Sequence, residues 1–236
     1  MRARFATNES AANRLMEFSQ VVARRRMVRN YGTDPVPEDS LKRILAAARK
    51  APSAGFSQGQ SLVVVTEART RLEIARLAGE ERYIADGFDP WISKAPIHVV
   101  VCVSEQTYHD RYREPDKLSS ISEEIEWPIP YWWVDAGATM MLLLLAAVDE
   151  GLAAGFLGVH SIPGLRDLLN IPDQVSPIGV VTIGHPAPDR RSGSLKRGWK
   201  RTEAVVHREL WHETVAGEPE MRTTARNKFI SQCTCI

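Results

Sequence analysis

Ile97-His98-Val99-Val100-Val101-Cys102-Val103 holds no charged residue and no turn former, and four of its residues are valine. A run this short and this apolar reads as a strand covered on both faces. Ser61-Leu62-Val63-Val64-Val65-Thr66 has the same character and the same reading. Two further strands are expected, at 153–159 and at Ile178-Gly179-Val180-Val181-Thr182-Ile183-Gly184. Between these runs the spacing changes to helical. Asp34-Pro35-Val36-Pro37-Glu38-Asp39-Ser40 is a turn and helix-start signal, with acids suited to a first turn. Leu41, Ile44, Leu45 and Ala48 then follow at i, i+3, i+4 and i+7, until Pro52 stops the helix. Helices are also expected at 15–23, at 70–79, and from Ile162-Pro163-Gly164 through Leu169. The stretch 135–150 is apolar nearly all round, which predicts a central buried helix ended by Gly151. Strands interleaved with helices imply a layered α/β or α+β domain.

The chain has 236 residues, 44% hydrophobic and 25% charged, with a net charge of +1. That supports one compact domain, taken here as 15–215, with a polar N-terminal arm at 1–14 and a mobile C-terminal tail at 216–236. Balanced charge argues against nucleic acid as a partner, because non-specific binding needs a strong basic excess. No apolar run approaches the ~18 to 20 residues that span a bilayer; the longest candidate, 136–148, runs into Asp149-Glu150. The first twenty residues include Arg2, Arg4, Glu9, Arg14 and Glu17 and lack an apolar signal core. A cytoplasmic location is expected, with no membrane partner. Cys102 reads as inert core packing, and Cys233 and Cys235 are too close for a relaxed disulfide. No second ligand pair accompanies them, so no metal site is expected.

Two clusters carry the chemical signal. Arg24-Arg25-Arg26-Met27-Val28-Arg29-Asn30-Tyr31 is densely cationic, and guanidinium forks match phosphate oxygens bidentately. The same cluster also reads as a solvated basic face at a helix end. Ala51-Pro52-Ser53-Ala54-Gly55-Phe56-Ser57-Gln58 is either a simple helix stop and turn or a loop whose small side chains let the backbone approach a ligand. Gly151-Leu152-Ala153-Ala154-Gly155-Phe156-Leu157-Gly158-Val159-His160 offers glycine at a strand end, where a backbone N–H can face a ring, or simply a strand and its turn. His160 at that end and His98 inside a strand read as locally satisfied histidines. The sequence contains no G-x-G-x-x-G after a strand, no G-x-x-x-x-G-K-[ST], no H-E-x-x-H and no G-x-S-x-G.

Taken in order, these segments resemble the FMN-dependent nitroreductase family. The resemblance rests on Arg25-Arg26-Met27-Val28-Arg29 with Tyr31, then Ala51-Pro52-Ser53 with Gly55 and Gln58. It continues with Asp135-Ala136-Gly137 leading into Leu142-Leu143-Leu144-Leu145-Ala146-Ala147, then Gly151-Leu152 and Phe156-Leu157-Gly158. Val180-Val181-Thr182-Ile183-Gly184-His185-Pro186 and a basic stretch complete it, over about residues 20 to 210. The resemblance implies an α+β fold, a mixed and mainly antiparallel sheet flanked by helices, in an interlocked homodimer with FMN at the interface. It implies that Arg25 and Arg26 hold the phosphate, joined by Lys200 or Arg201, and that Arg29 lies near the N1 and O2 edge of the flavin. Pro52, Ser53 and Ala54 would come from the partner subunit, and Gly55 and Gln58 in the same loop are expected to bind the cofactor. The backbone around Leu157 and Gly158 would meet the flavin near N5. The implied chemistry is ping-pong: NAD(P)H gives hydride to the flavin and leaves, and a small-molecule acceptor such as a nitroaromatic or quinone takes its place. No side chain is nominated as an obligatory acid or base.

Met27 stands where many members have serine, Gln58-Gly59-Gln60 replaces a common Gln-Pro-Trp, and Met141-Leu142 replaces a frequent Gln-Asn. The loop also resembles that of the flavin-fragmenting 5,6-dimethylbenzimidazole synthase branch. There an aspartate and a serine occupy the positions of Met27 and Gly158, which favours simple reduction here. A non-catalytic flavin-binding module is the other alternative. Residues 105–131, charged and aromatic, read as a long loop that acts as a lid, binds a ligand or lacks order. Trp127 and Tyr131 are expected to line the acceptor pocket, or else to pack a dimer or domain surface.

Overall fold

In a computed structural model, described for residues 16–118, 123–190 and 192–212, the valine run forms strand β2, Ile97–Val103, buried at every position. It pairs antiparallel with β1, Gln60–Val65, on one side and with β4, Ser176–Gly184, on the other. Strand β3, Ala153–Gly158, pairs antiparallel with the far edge of β4, so the sheet order is β1-β2-β4-β3. All four strands fall where the valine and glycine runs predict them. β1 departs in one respect: it is an edge strand, half covered rather than enclosed, with Val64 exposed.

Strand alternation divides the core in two. Ile97, Val99, Val101 and Val103 face one cluster, with Ile183, Leu143 and Leu144. Val100 and Cys102 face another, with Val180, Ile74, Trp91 and Ile92. The first cluster is closed by α2, Glu38–Ala48, and by α7, Tyr131–Asp149, which crosses β2, β3 and β4. The second is closed by α3, Ala68–Leu77, α5, Trp91–Lys94, and α8, Leu165–Leu168, while α4, Glu80–Ala85, packs beside α3 and sets Tyr83 against Trp91. Burial pushes the Cys102 thiol up to about 11, which fits an inert core residue.

Helix α1 spans Phe18–Arg24, and α6, Glu105–Tyr112, lies inside the segment expected to be a long loop. Its charged composition hides the pattern: only Tyr108 is fully buried. Helix α7 begins earlier than its apolar run suggests, because Tyr131 to Val134 join it. At 19 residues it is long and apolar enough, by length and composition, to cross a membrane. Here it is a core helix, and only one face is covered. Trp132, Asp135, Ala136, Thr139, Leu143, Leu144 and Ala147 are buried, whereas Trp133, Val134 and Met141 are exposed. The described residues divide into two units, one running to Asp189 and one beginning at Arg190. The 1–14 arm and the 216–236 tail, with Cys233 and Cys235, lie outside the described residues.

His98 is fully buried in β2, where its Nε2 lies 2.8 Å from the Ile92 carbonyl oxygen, and burial pushes its pKa down to about 4. An unfolded histidine titrates near 6.5, so between these values the unfolded chain takes up a proton that the fold refuses. Stability should fall by up to roughly 3 kcal/mol as pH drops from 6.5 to 4. Urea midpoints measured across this window should decline for the wild type and flatten in His98→Gln.

Candidate functional site

Beyond α1 the chain turns extended at Arg25 and runs along the free edge of β3. Met27 forms a parallel bridge with Ala154, and the Val28 N–H donates to the Ala154 carbonyl at 3.0 Å. The approach depends on Gly155, where a Cβ would come within 2.5 Å of the Val28 carbonyl oxygen. Tyr31 locks the end of the segment: its buried hydroxyl lies 2.7 Å from Thr182 Oγ1, and burial pushes its phenol far above the ordinary range. Asp189 fixes the middle. Its carboxylate, 3% exposed, accepts from Arg26 Nη1 at 2.5 Å and from the Arg29 N–H at 2.8 Å.

Extended alternation therefore separates the arginines. Arg26 turns with Val28 towards a small cavity also lined by Arg24, Val148, Leu152 and Ala154. Arg25, Met27 and Arg29 share the opposite side. Among the described residues neither the Arg25 nor the Arg29 guanidinium has a hydrogen-bond or ion-pair partner. Two unpaired, half-buried cations on one side of an extended segment suit an anionic ligand.

The 52–58 loop is strained and tightly held. Gly55, Phe56 and Gln58 all have positive φ, at 59°, 58° and 54°. The left-handed region costs a non-glycine residue about 1–2 kcal/mol. Local bonds shape the turn: Ser57 Oγ donates to the Ala54 carbonyl at 2.6 Å and the Gln58 N–H donates to Ser53 Oγ at 2.9 Å. Gln60 Nε2 of β1 donates to the Pro52 carbonyl at 3.1 Å, and two further bonds tie the loop to helices α7 and α6. The Ala54 N–H donates to Asp135 Oδ2 at 2.9 Å, and Arg111 Nε donates to the Gly55 carbonyl at 2.9 Å. The loop's glycines have a packing reason. A Cβ on Gly55 would lie 2.6 Å from the Tyr112 ring, and one on Gly59 equally close to the Tyr108 ring. Phe56, by contrast, projects into solvent at 73% exposure.

Trp127 sits at the hub of an aromatic cluster rather than on an open wall. Its ring centroid is 4.6 Å from Tyr112 and 5.7 Å from Trp132, with Tyr108, His109 and Tyr131 around it. Tyr131 is the exposed member of the expected pair, at 44%. Glu124 clamps the cluster, accepting from Trp127 Nε1 at 2.8 Å and lying 2.5 Å from His109 Nδ1 and 3.0 Å from Arg113 Nε. At the end of β3, Leu157 buries its side chain in the second core, so only its backbone can meet a ligand. The His160 ring folds over Gly158, where a Cβ would lie 2.6 Å from His160 Cε1. Lys200 and Arg201 belong to the second unit and are exposed there, with Arg201 Nε 3.5 Å from Glu203.

The family model described as the nitroreductase family matches residues 22–185, which hold the arginine segment, the strained loop and the glycine strand. The chain belongs to the nitroreductase family. It is 29% identical over 197 residues to the "FMN reductase [NAD(P)H]" of Bacillus subtilis (strain 168), covering 79% of this chain and 71% of that one. It is 27% identical over 199 residues to a "Putative NADH dehydrogenase/NAD(P)H nitroreductase" of Archaeoglobus fulgidus, covering 83% and 99%. Among solved structures it resembles B. megaterium NfrA2, with a TM-score of 0.66 at 21% identity over 84% of this chain and 76% of that one. It also resembles the hypothetical oxidoreductase YcnD from Bacillus subtilis, with a TM-score of 0.64 at 25% identity over 83% and 75%.

Within this nitroreductase chain, Asp135, Asp189, Tyr108 and Arg111 hold the site together, and sequence patterns single out none of them for that role. Asp135 reads as the start of an apolar run and as part of the Asp135-Ala136-Gly137 match, with no contact assigned to it, and Asp189 follows a strand in a proline-rich turn. The His109 contact makes one of these clamps pH-sensitive. The hydrogen bond to Glu124 raises the His109 pKa, with Glu105 adding to it. A raised pKa gives stabilisation that is complete below about 6.5 and is lost as pH climbs through the folded value. Trp127 fluorescence should therefore shift as pH rises above the ordinary histidine value of about 6.5, and His109→Gln should abolish that transition.

Proposed function

We propose that the chain is an FMN-dependent oxidoreductase that passes electrons from NAD(P)H to nitroaromatic, quinone or similar electron-poor acceptors. The observation that carries this reading is the pair of unpaired guanidinium groups, Arg25 and Arg29, on one side of a segment bridged to the glycine strand. The family and the name of the Bacillus subtilis relative support FMN as the cofactor. When bound, FMN supplies a ring that accepts hydride from NAD(P)H and then yields electrons to the acceptor, in ping-pong order.

Arg25 would hold the phosphate as a charge-assisted fork. Arg26, committed to Asp189, would act through the shape of the segment. Arg29 would sit at the N1 and O2 edge, where a fixed cation favours negative charge on the reduced ring without reorganisation. Met27 and the Leu157–Gly158 backbone would line the ring. Lys200 and Arg201 are proposed as further phosphate cations on the resemblance alone.

The uncovered apolar side of α7, with Trp133, Val134 and Met141 exposed, supports a homodimer. In that assembly Pro52, Ser53, Ala54, Gly55 and Gln58 would enter the partner's cofactor site. Trp127 and Tyr131 would select the acceptor, Trp127 by holding the cluster and Tyr131 by direct contact. A cytoplasmic location is proposed with it.

The purified protein should be yellow with bound FMN, bleach with NAD(P)H under anaerobic conditions and regain its colour with a quinone. Arg25→Ala should weaken FMN binding at least about tenfold, the loss of a charge-assisted contact. Arg29→Ala should keep the flavin but slow its reduction by about 10- to 100-fold, measured by stopped-flow absorbance. Colourless protein that stays empty after incubation with FMN would sink the reading. Flavin lost irreversibly in air would point to fragmentation instead.

A further inference from the structure

The 52–58 loop is shaped by its own side chains and by Gln60 of β1, which donates to the Pro52 carbonyl at 3.1 Å, but its attachment to the helices runs through two residues. One is Arg111, a partly covered side chain on α6 that also serves Asp116 at 2.7 Å and Glu114 at 3.0 Å. The other is Asp135, buried in the core helix α7. A single oxygen, Asp135 Oδ2, accepts from the Ala54 N–H at 2.9 Å and from the Tyr108 hydroxyl at 2.8 Å. Tyr108 is itself fully buried, with its ring against Gly59 and beside Trp127 and Trp132. The carboxylate thus sits between a loop with three left-handed residues and the aromatic cluster, and touches both.

We propose that Asp135 is a positioning residue that joins the cofactor loop to the acceptor-side aromatic cluster, so that cofactor affinity and acceptor choice are coupled through one carboxylate oxygen. The proposal rests on the reading of the 52–58 loop as cofactor-binding. Without the carboxylate, the Ala54 N–H loses its acceptor while the loop still bears the strain of Phe56 and Gln58. Relaxation of that strain would pull the loop away from the geometry a cofactor needs. The Tyr108 hydroxyl would lose its acceptor at the same moment, freeing the cluster around Trp127.

A purely structural role would look different, and Glu80 supplies the comparison. It is another buried carboxylate, accepting from the Ile92 and Ser93 N–H groups at 2.5 and 3.0 Å, on the other side of the sheet. FMN dissociation constants, visible circular dichroism of the bound flavin and melting temperatures should be measured for wild type, Asp135→Ala, Asp135→Asn, Tyr108→Phe and Glu80→Ala. Asp135→Ala should weaken FMN binding about 10- to 100-fold and alter the flavin dichroism. Asp135→Asn, whose amide oxygen can still accept both bonds, should stay within about threefold of wild type. Tyr108→Phe should shift KM among quinones and nitroaromatics relative to kcat, and should weaken FMN binding measurably but less than Asp135→Ala does. Glu80→Ala should lower the melting temperature alone.

An Asp135→Ala protein with wild-type affinity and dichroism overturns the proposal, as does a loss that Glu80→Ala reproduces in proportion to its lost stability. Should Asp135→Ala fail to fold, unchanged acceptor KM values in Tyr108→Phe overturn it equally. A wild type that binds no FMN removes the functional reading and this proposal together. A yellow wild type beside an equally yellow Asp135→Ala removes this proposal only.

Discussion

Strand β2 has a neighbour on both edges and a core on both faces, so its register leaves no freedom to the rest of the unit. A slip of one residue would send His98, Val100 and Cys102 towards α7 and expose the other layer to residues shaped for them. The register also governs β4, which carries one extra residue where the pairing passes from Val101–Gly179 to Cys102–Pro177. A bulge there accommodates Pro177, which has no N–H to give the ladder. Gly179, beside the bulge, meets the Leu157 carbonyl so closely that a Cβ would overlap it. The irregularity in a central strand thus sets the path of the Leu157–Gly158 end of β3, the end that faces the candidate site.

The opposite edge of β3 is set by charge as well as by packing. An arginine-rich segment laid beside a strand would repel itself and drift into solvent unless something fixed its register. Asp189 does so by accepting from one side chain and one backbone N–H of the segment, and Gly155 and Tyr31 supply the close fit. Neutralising Arg26 internally has a further effect. It leaves Arg25 and Arg29, on the other side, as the cations of the segment without a partner among the described residues.

The strands and their order of burial were legible because valine runs and alternation report directly on a sheet. β2, β3 and β4 fall within a residue or two of their expected positions. Helix α6 was not, because its residues serve neighbours rather than a hydrophobic stripe: Tyr108 meets Asp135, Arg111 meets Gly55 and His109 meets Glu124. The arginine cluster announced a cationic site, yet nothing local to it could show that Arg26 would be claimed by a residue 163 positions away. The small residues of the 52–58 loop suggested ligand approach. Two of the glycines in and beside it instead admit the Tyr112 and Tyr108 rings, a demand invisible without the tertiary partner.

Helix α7 carries the last step. Its sequence is apolar on every side, and such a helix is stable in water only when every side is covered. Within one chain the side bearing Asp135, Thr139 and Leu143 is covered, and the side bearing Trp133, Val134 and Met141 is not. Phe56, held outward on a strained and clamped loop, is uncovered as well. Strain fixed by two separate anchors persists because the surrounding structure imposes it, and such strain concentrates at ligand sites. An exposed aromatic on a rigid loop and an exposed apolar helix face both fit the proposed homodimer. In that homodimer a second copy of the chain would cover α7 and receive the loop in one association, so that assembly and cofactor binding would depend on each other.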